Sequence, residues 1–231
     1  LITINDSGNS AILYYLNKKG ELIFNRHFVN LKNNDWEDLC ADDEFIYIAD
    51  IGNNFDTRDN LRIIKTSINP ENNSFEIINF YYPEQVDFNF KQLSSYDAEG
   101  LISVDNYLLI FTKNRAKKIT EIYKLPKKPG NHKAELVGQI DVRSIVTAAD
   151  FDIKTGLLAL TSTFDFNEYF LIRIENFNLS ELENIQLNIS KIPISKSQVE
   201  SIKIIDNSNF WITSEAELFF DKPKLYKITL K

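Results

Sequence analysis

Four stretches of the sequence fall into register: Asp35-Trp36-Glu37-Asp38-Leu39, Asp97-Ala98-Glu99-Gly100-Leu101, Thr147-Ala148-Ala149-Asp150-Phe151 and Gln198-Val199-Glu200-Ser201-Ile202. Their closing residues stand at positions 39, 101, 151 and 202, so the motif returns after 62, 50 and 51 residues. Each motif leads into an apolar run, a turn (Asp42-Asp43, Asp105-Asn106, Thr155-Gly156, Asp206-Asn207) and a second apolar run. The second run ends in a polar cluster: Asp50-Ile51-Gly52-Asn53, Thr112-Lys113-Asn114, Thr161-Ser162-Thr163 or Thr213-Ser214-Glu215. Two more strand-like runs follow in most units. Four antiparallel strands in about 50 residues make a β-propeller blade, because one such sheet cannot bury both faces alone and is stabilised by packing on the next.

The chain start joins the pattern, since Ile4-Asn5-Asp6-Ser7-Gly8-Asn9 matches Ala49-Asp50-Ile51-Gly52-Asn53. Leu1 to Ile4 then reads as the second strand of a first blade, and the last unit supplies three strands. The expectation is an all-β, single-domain propeller over residues 1–231 with five four-stranded blades, centred near Asp6, Asp50, Thr112, Ser162 and Thr213. Six blades is the alternative count. Closure of the ring is expected from a strand in a segment preceding Leu1, which would cover an open edge. An open β-sandwich is the competing architecture, but it does not require a repeated acidic motif in register. Helical periodicity is confined to a turn or two near Leu179 to Asn184.

Composition narrows the function classes. The 231 residues are 43% hydrophobic and 26% charged, the balance of a globular chain. The longest apolar run, Tyr107 to Phe111, falls far short of the roughly 20 residues a membrane-spanning helix needs. Cys40 is the only cysteine, so a disulfide scaffold and a multi-thiolate metal site are excluded, and it reads as a small buried hydrophobe. A net charge of −7, with the basic pairs Lys117-Lys118 and Lys127-Lys128 isolated, argues against a nucleic-acid partner. The two histidines, His27 on an outer strand and His132 in a turn, lie too far from the repeated motif for a Ser-His-Asp or Cys-His arrangement. A monomer is expected.

In an antiparallel hairpin the start of the first strand and the end of the second lie side by side. The acidic motif and the polar cluster of each blade should therefore meet at one mouth of the central channel. The candidate binding residues there are Asp6, Asn9, Asp35, Glu37, Asp50, Asn53, Asp97, Glu99, Lys113, Arg115, Asp150, Glu200 and Glu215, with Asn5, Asp38, Asn114, Ser162, Thr163, Gln198, Ser214 and Glu217 around them. Such a ring of oxygens suits a hard cation of the Ca2+ type, which takes about six to eight oxygen ligands. The candidate metal ligands are Asp6, Glu37, Asp50, Glu99 and Glu200, with Asp35 beside them. The competing reading has each acid accepting backbone hydrogen bonds of its own loop and tying blade to blade. Repetition favours that second reading, because a functional site usually breaks symmetry, and Ala149, where the other motifs carry Glu, excludes a site that uses the acids of all five blades. Glu99 near Lys113 and Arg115 reads as an ion pair. The aromatic stretches Phe80-Tyr81-Tyr82 and Phe88 to Phe90 sit in the longest connection and read either as a binding loop or as a cover for the core.

The strings Asn5-Asp6-Ser7-Gly8-Asn9, Asp35-Trp36-Glu37-Asp38-Leu39, Asp50-Ile51-Gly52-Asn53-Asn54, Asp97-Ala98-Glu99-Gly100-Leu101 and Phe111-Thr112-Lys113-Asn114 resemble those of a large group of exported bacterial β-propeller proteins of the Bacteroidetes type. The resemblance covers essentially the whole chain. It implies export to the periplasm, outer-membrane surface or extracellular space, often as a lipoprotein of the cell envelope. More distantly the chain resembles the esterase-like phytase and gluconolactonase-type propellers, which use a metal in the channel, although no catalytic string of those enzymes is matched. The leading expectation is a non-catalytic module that binds a small ligand or an envelope protein at one mouth, with a bound Ca2+. The alternatives are a metal-dependent hydrolase of phosphate or lactone esters and a purely structural envelope subunit.

Overall fold

The computed structural model describes residues 1–194, 198–215 and 223–230. Blade one holds β1 (Ile2–Thr3), β2 (Ile12–Leu16) and β3 (Leu22–His27), and blade two begins with β4 (Trp36–Ala41), β5 (Phe45–Asp50), β6 (Arg62–Ser67) and β7 (Phe75–Tyr81). Blade three is β8 (Ala98–Val104), β9 (Tyr107–Thr112), β10 (Thr120–Pro126) and, after the short β11 (Gly130–Lys133), β12 (Glu135–Ile140). Blade four is β13 (Ile145–Asp152), β14 (Leu157–Thr163), β15 (Tyr169–Ile174) and β16 (Asn188–Lys191), and blade five is β17 (Val199–Ile204), β18 (Asn209–Ser214) and β19 (Lys224–Thr229). The five blades form a β-propeller, with the inner strands β4, β8, β13 and β17 packed in succession. Among the described residues the first and last blades carry three strands each. They meet where Gly20, in the β2–β3 turn, faces Leu225 of β19. No helix among the described residues is long and apolar enough to cross a membrane.

Period-two alternation decides which interface each side chain enters. In β5, Ile46 and Ile48 join Trp36, Leu13 and Phe28 between blades one and two, while Tyr47 and Ala49 join Leu101, Leu108 and Ile110 between blades two and three. The same division places Leu109 and Phe111 against Leu158 and Leu160, and Ala159 and Leu171 against Ile202 and Phe210. Central strands buried on both faces thus read as continuous apolar runs.

The connections lock neighbouring blades together. β11 leaves blade three between its third and fourth strands and pairs in parallel with β7, giving blade two a fifth strand. His132, expected in a turn, therefore lies in a strand. Gly-Asn-His-Lys has neither alternation nor β-branched residues, and its pairing is imposed from outside the segment. The 3-10 helix Leu179–Asn184 occupies the stretch expected to be helical, capped by the Asn178 side chain on the Ser180 N–H at 3.1 Å. Its Leu182 fills the space over Gly138 of β12, bridging blades four and three.

The ladders show one irregularity in common. In β4, β8, β13 and β17 an extra residue interrupts pairing between Trp36 and Asp38, Ala98 and Gly100, Val146 and Ala148, and Val199 and Ser201. These bulges correct the sequence alignment of blade four, where the residue equivalent to Glu37, Glu99 and Glu200 is Thr147 and not Ala149. The shared Asp misled the alignment because it serves the same purpose two residues farther along. Asp38 accepts the Leu101 N–H of the next blade at 2.9 Å, and Asp150 accepts the Ile204 N–H at 2.7 Å together with the Lys203 ammonium. Both acids tie one blade to the next, as the hydrogen-bonding reading of the motif expects. Burial pushes the Asp38 carboxyl well above the usual range despite its backbone donors.

β8 and β13 approach closely at Gly100, where an added Cβ would stand 2.9 Å from the Ala149 Cβ and 3.1 Å from the Phe111 Cβ. Gly100→Val is expected to destabilise the fold by about 1–3 kcal/mol through overpacking. Urea denaturation checks this through a lower midpoint at unchanged slope.

Candidate functional site

A bulge leaves its extra residue outside the ladder and re-aims the side chain. Here it presents Glu37, Glu99, Thr147 and Glu200. Two residues before each bulge stand Asp35, Asp97, Ile145 and Gln198, three of which accept a backbone N–H from just beyond the second strand: Asp35 from Ile51, Asp97 from Lys113 and Gln198 from Glu215. Motif and polar cluster therefore lie side by side at the same end of blades two, three and five, here called the mouth. Asp6 is brought there from blade one by Asn33, whose side-chain amide donates to the Asn5 and Asp6 carbonyls at 2.9 Å while its oxygen accepts the Trp36 N–H at 3.0 Å.

Two groups of carboxylates result, each with oxygens within 4.8 Å of one another: Asp6, Asp35 and Glu37, and Glu37, Asp97 and Glu99. Glu37 belongs to both. The acids differ in how they are occupied. Asp97 accepts the Asn53 N–H at 2.8 Å and Arg115 at 3.1 Å, and Arg115 also holds the Asn54 side chain at 2.6 Å. Glu99 is buried in an ion pair with Lys113, as expected from sequence. No protein donor bonds the Glu37 carboxylate among the described residues. Gly52 explains its position, because a methyl group there would collide with the carboxylates of both Glu37 and Asp35.

The remaining expected residues are placed as follows. Asp50 is fully buried between blades one and two, with its oxygens taken by Arg58 at 2.8 Å, Arg62 at 2.9 Å, Asn34 and the Asp35 N–H. It is a structural anchor and leaves no free oxygen for a cation. Asn53 is also structural: its N–H meets Asp97 and its side-chain oxygen accepts the Arg58 N–H at 2.9 Å. Asn9 folds its exposed turn by donating to the Asp6 and Ser7 carbonyls. Asp150 lies toward the far end of β13 from the mouth, in the contacts described above. Glu200 and exposed Glu215 stand close enough to Asp6 for their charges to interact. Glu217 lies outside the described residues. Cys40 packs in β4, where burial pushes its thiol up. Sequence reasoning missed Asn33, Arg58 and the purpose of Gly52, whose only signal was a glycine in a chain with 7.

Crowding shows in the electrostatics. Burial, followed by the charges of Glu99, Asp97, Asp35 and Asp6, holds the Glu37 carboxyl well above its ordinary range. Burial and Glu99 do the same to Glu200. Glu99 is raised by burial against the opposing pull of Lys113. Burial alone would lower the Lys113 ammonium, but Glu99, Asp97 and Glu200 outweigh it and hold it above the lysine range. Asp35 is pushed up to about 6 by burial and by Asp6, with Arg58 opposing.

These acids bind protons more tightly in the folded state than in the unfolded chain, so their ionisation opposes folding as pH rises through their folded values. Between about pH 5 and pH 7, in chelator, thermal stability is expected to rise as pH falls, opposite to ordinary acid denaturation. Glu37→Gln is expected to flatten this slope, which a melting series across that range measures.

No family model matches the chain, and no curated protein matches it in sequence. Solved structures are similar in strand arrangement at low identity. A 6-phosphogluconolactonase-like protein from Bacteroides uniformis has 11% identity and a TM-score of 0.47, over 99% of this chain and 67% of that one. The NanB sialidase from Streptococcus pneumoniae has 12% identity and a TM-score of 0.49, over 94% of this chain and 34% of that one. The computationally designed Ika4 protein has 12% identity and a TM-score of 0.38, over 84% and 91%. This chain thus spans about a third of the sialidase and two thirds of the lactonase-like chain.

Proposed function

We propose that the mouth binds a divalent cation of the Ca2+ type and that the propeller is a ligand-binding module working through this face. The observation that carries the reading is Glu37, shared by two groups of three carboxylates and bonded to no protein donor among the described residues. The donor set supports it, being all oxygen, hard and anionic. The cradle over Gly52 supports it further, because a bare backbone there lets two carboxylates converge. Asp97 and Glu99 are committed to Arg115 and Lys113, so Asp6, Asp35 and Glu37 form the preferred ligand set. With Asp6 exposed, affinity in the range of extracellular modules, about 10⁻⁴ to 10⁻³ M, would suit the exported location that the family resemblance implies.

A second reading, hydrolysis of phosphate or lactone esters, draws support from Asp35, a carboxyl held at about 6 and suited to proton transfer near neutrality. It requires turnover of phytate, aryl phosphates or lactones that Glu37→Gln abolishes.

For the binding reading, Ca2+ at about a hundredfold excess over its Kd is expected to stabilise the protein by about 2.7 kcal/mol relative to chelator. Glu37→Gln and Gly52→Ala should each remove the shift, the latter with every carboxylate retained. Identical melts of the wild-type protein in Ca2+ and in chelator would overturn the proposal.

A further inference from the structure

Beside the mouth stands an apolar ridge that the cation site does not use. Phe55 and Phe90 stack with ring centroids 4.8 Å apart, and both are exposed, Phe90 at 66%. Val86, Phe88 and Leu93 extend the exposed surface along the connection between blades two and three. This connection is held firmly. The Asp56 carboxylate accepts the Ser95 and Tyr96 N–H groups at 2.9 Å each. The Gln85 side chain donates to the Asp56 carbonyl at 2.8 Å, and the Lys91 N–H to the Phe55 carbonyl at 3.0 Å. On the channel side the ridge continues through Asn54 to Arg115 and Asp97. On its outer flank Phe88 lines a cleft of about 280 Å³ with Leu61, Phe80, Tyr82 and Pro83, large enough for an aliphatic side chain.

Large apolar groups fixed in water mark a contact surface, and aromatic anchors ordered in advance lose little entropy on binding. We infer that this ridge and the acidic mouth together dock a peptide segment of a partner protein that pairs apolar side chains with Lys or Arg. Charge complementarity selects the basic residues, since the carboxylates of the mouth outnumber Lys113 and Arg115 and remain in excess with one divalent cation bound. The ridge selects the apolar ones. A neutral glycan would leave the excess negative charge of the mouth unmatched, so the combined surface favours a basic, apolar peptide over a neutral sugar. The inference rests on the mouth being the binding face.

The test is selection from a random peptide library on the wild-type protein in Ca2+, with a glycan array in parallel. Enriched peptides are expected to combine Lys or Arg with Leu, Ile or aromatic residues. A labelled enriched peptide should lose about tenfold or more in affinity on Phe90→Ser or Phe55→Ser, a change of about 1.4 kcal/mol or more. Both substitutions are at exposed positions and should leave the melting profile and the Ca2+ shift intact. Absence of enrichment, enrichment of acidic peptides, binding indifferent to both Phe variants, or binding of glycans alone would overturn the inference. Peptide binding that needs Phe90 in a protein with no Ca2+ shift would contradict the cation reading and leave the docking surface standing.

Discussion

One residue too many in each inner strand is the constraint on which the mouth depends. An uninterrupted antiparallel ladder would send Glu37, Glu99 and Glu200 to the sheet face opposite Trp36, Ala98 and Val199 and into the interfaces between blades, where an unpaired charge is costly. The bulge removes each from the ladder and lets the residues on either side resume their packing. Trp36 and Ala98 keep their places in the apolar interfaces, and the glutamate is released to the channel. Blade four keeps the bulge but fills it with Thr147, whose hydroxyl bonds that of Thr161 at 2.9 Å. The acidic array is therefore lopsided, concentrated on blades one, two and three with a contribution from blade five.

That lopsidedness separates structural acids from available ones. Asp38 and Asp150 are consumed by backbone N–H groups of the following blade, and Asp50 by two arginines. Lys113 and Arg115 neutralise Glu99 and Asp97. Glu37 is left between two acidic groups with Gly52 beneath it. Two ionised carboxylates at the separations found here repel by about 3–4 kcal/mol at an effective dielectric near 20, so several of them cannot stay charged together without protons or a cation. Folding supplies no side-chain cation for Glu37, because the remaining guanidinium nearby, Arg58, is committed to Asp50 and the Gly52 carbonyl.

Much of the fold was legible because the repeated motif marks both a bulge and a strand start, and three of its four copies, those carrying Glu37, Glu99 and Glu200, align without ambiguity. The fourth was displaced by two residues because Asp150 does the work of Asp38 from a position of the same parity, which a pattern of period two cannot distinguish. β11 was invisible since its partner β7 belongs to another blade. The gathering of acids at one mouth followed from hairpin geometry alone. Their division into bonded and unbonded groups did not, because it depends on Arg58 and Arg62 closing on Asp50 within blade two and on Asn33 reaching back to blade one, contacts that the spacing of the motif does not encode. The aromatic connection admitted two readings, and the structure divides it between them: Phe80 and Tyr82 are buried under the loop, while Phe88 and Phe90 are exposed on it.

The most direct measurement is an electron-density map of the channel from crystals grown with Ca2+. The account predicts density at the mouth with oxygen contacts near 2.4 Å, about the usual Ca2+ to oxygen distance, to the carboxylates of Glu37, Asp35 and Asp6. A Glu37 carboxylate hydrogen-bonded only to water or to a protein donor, with no such density beside it, would contradict the account.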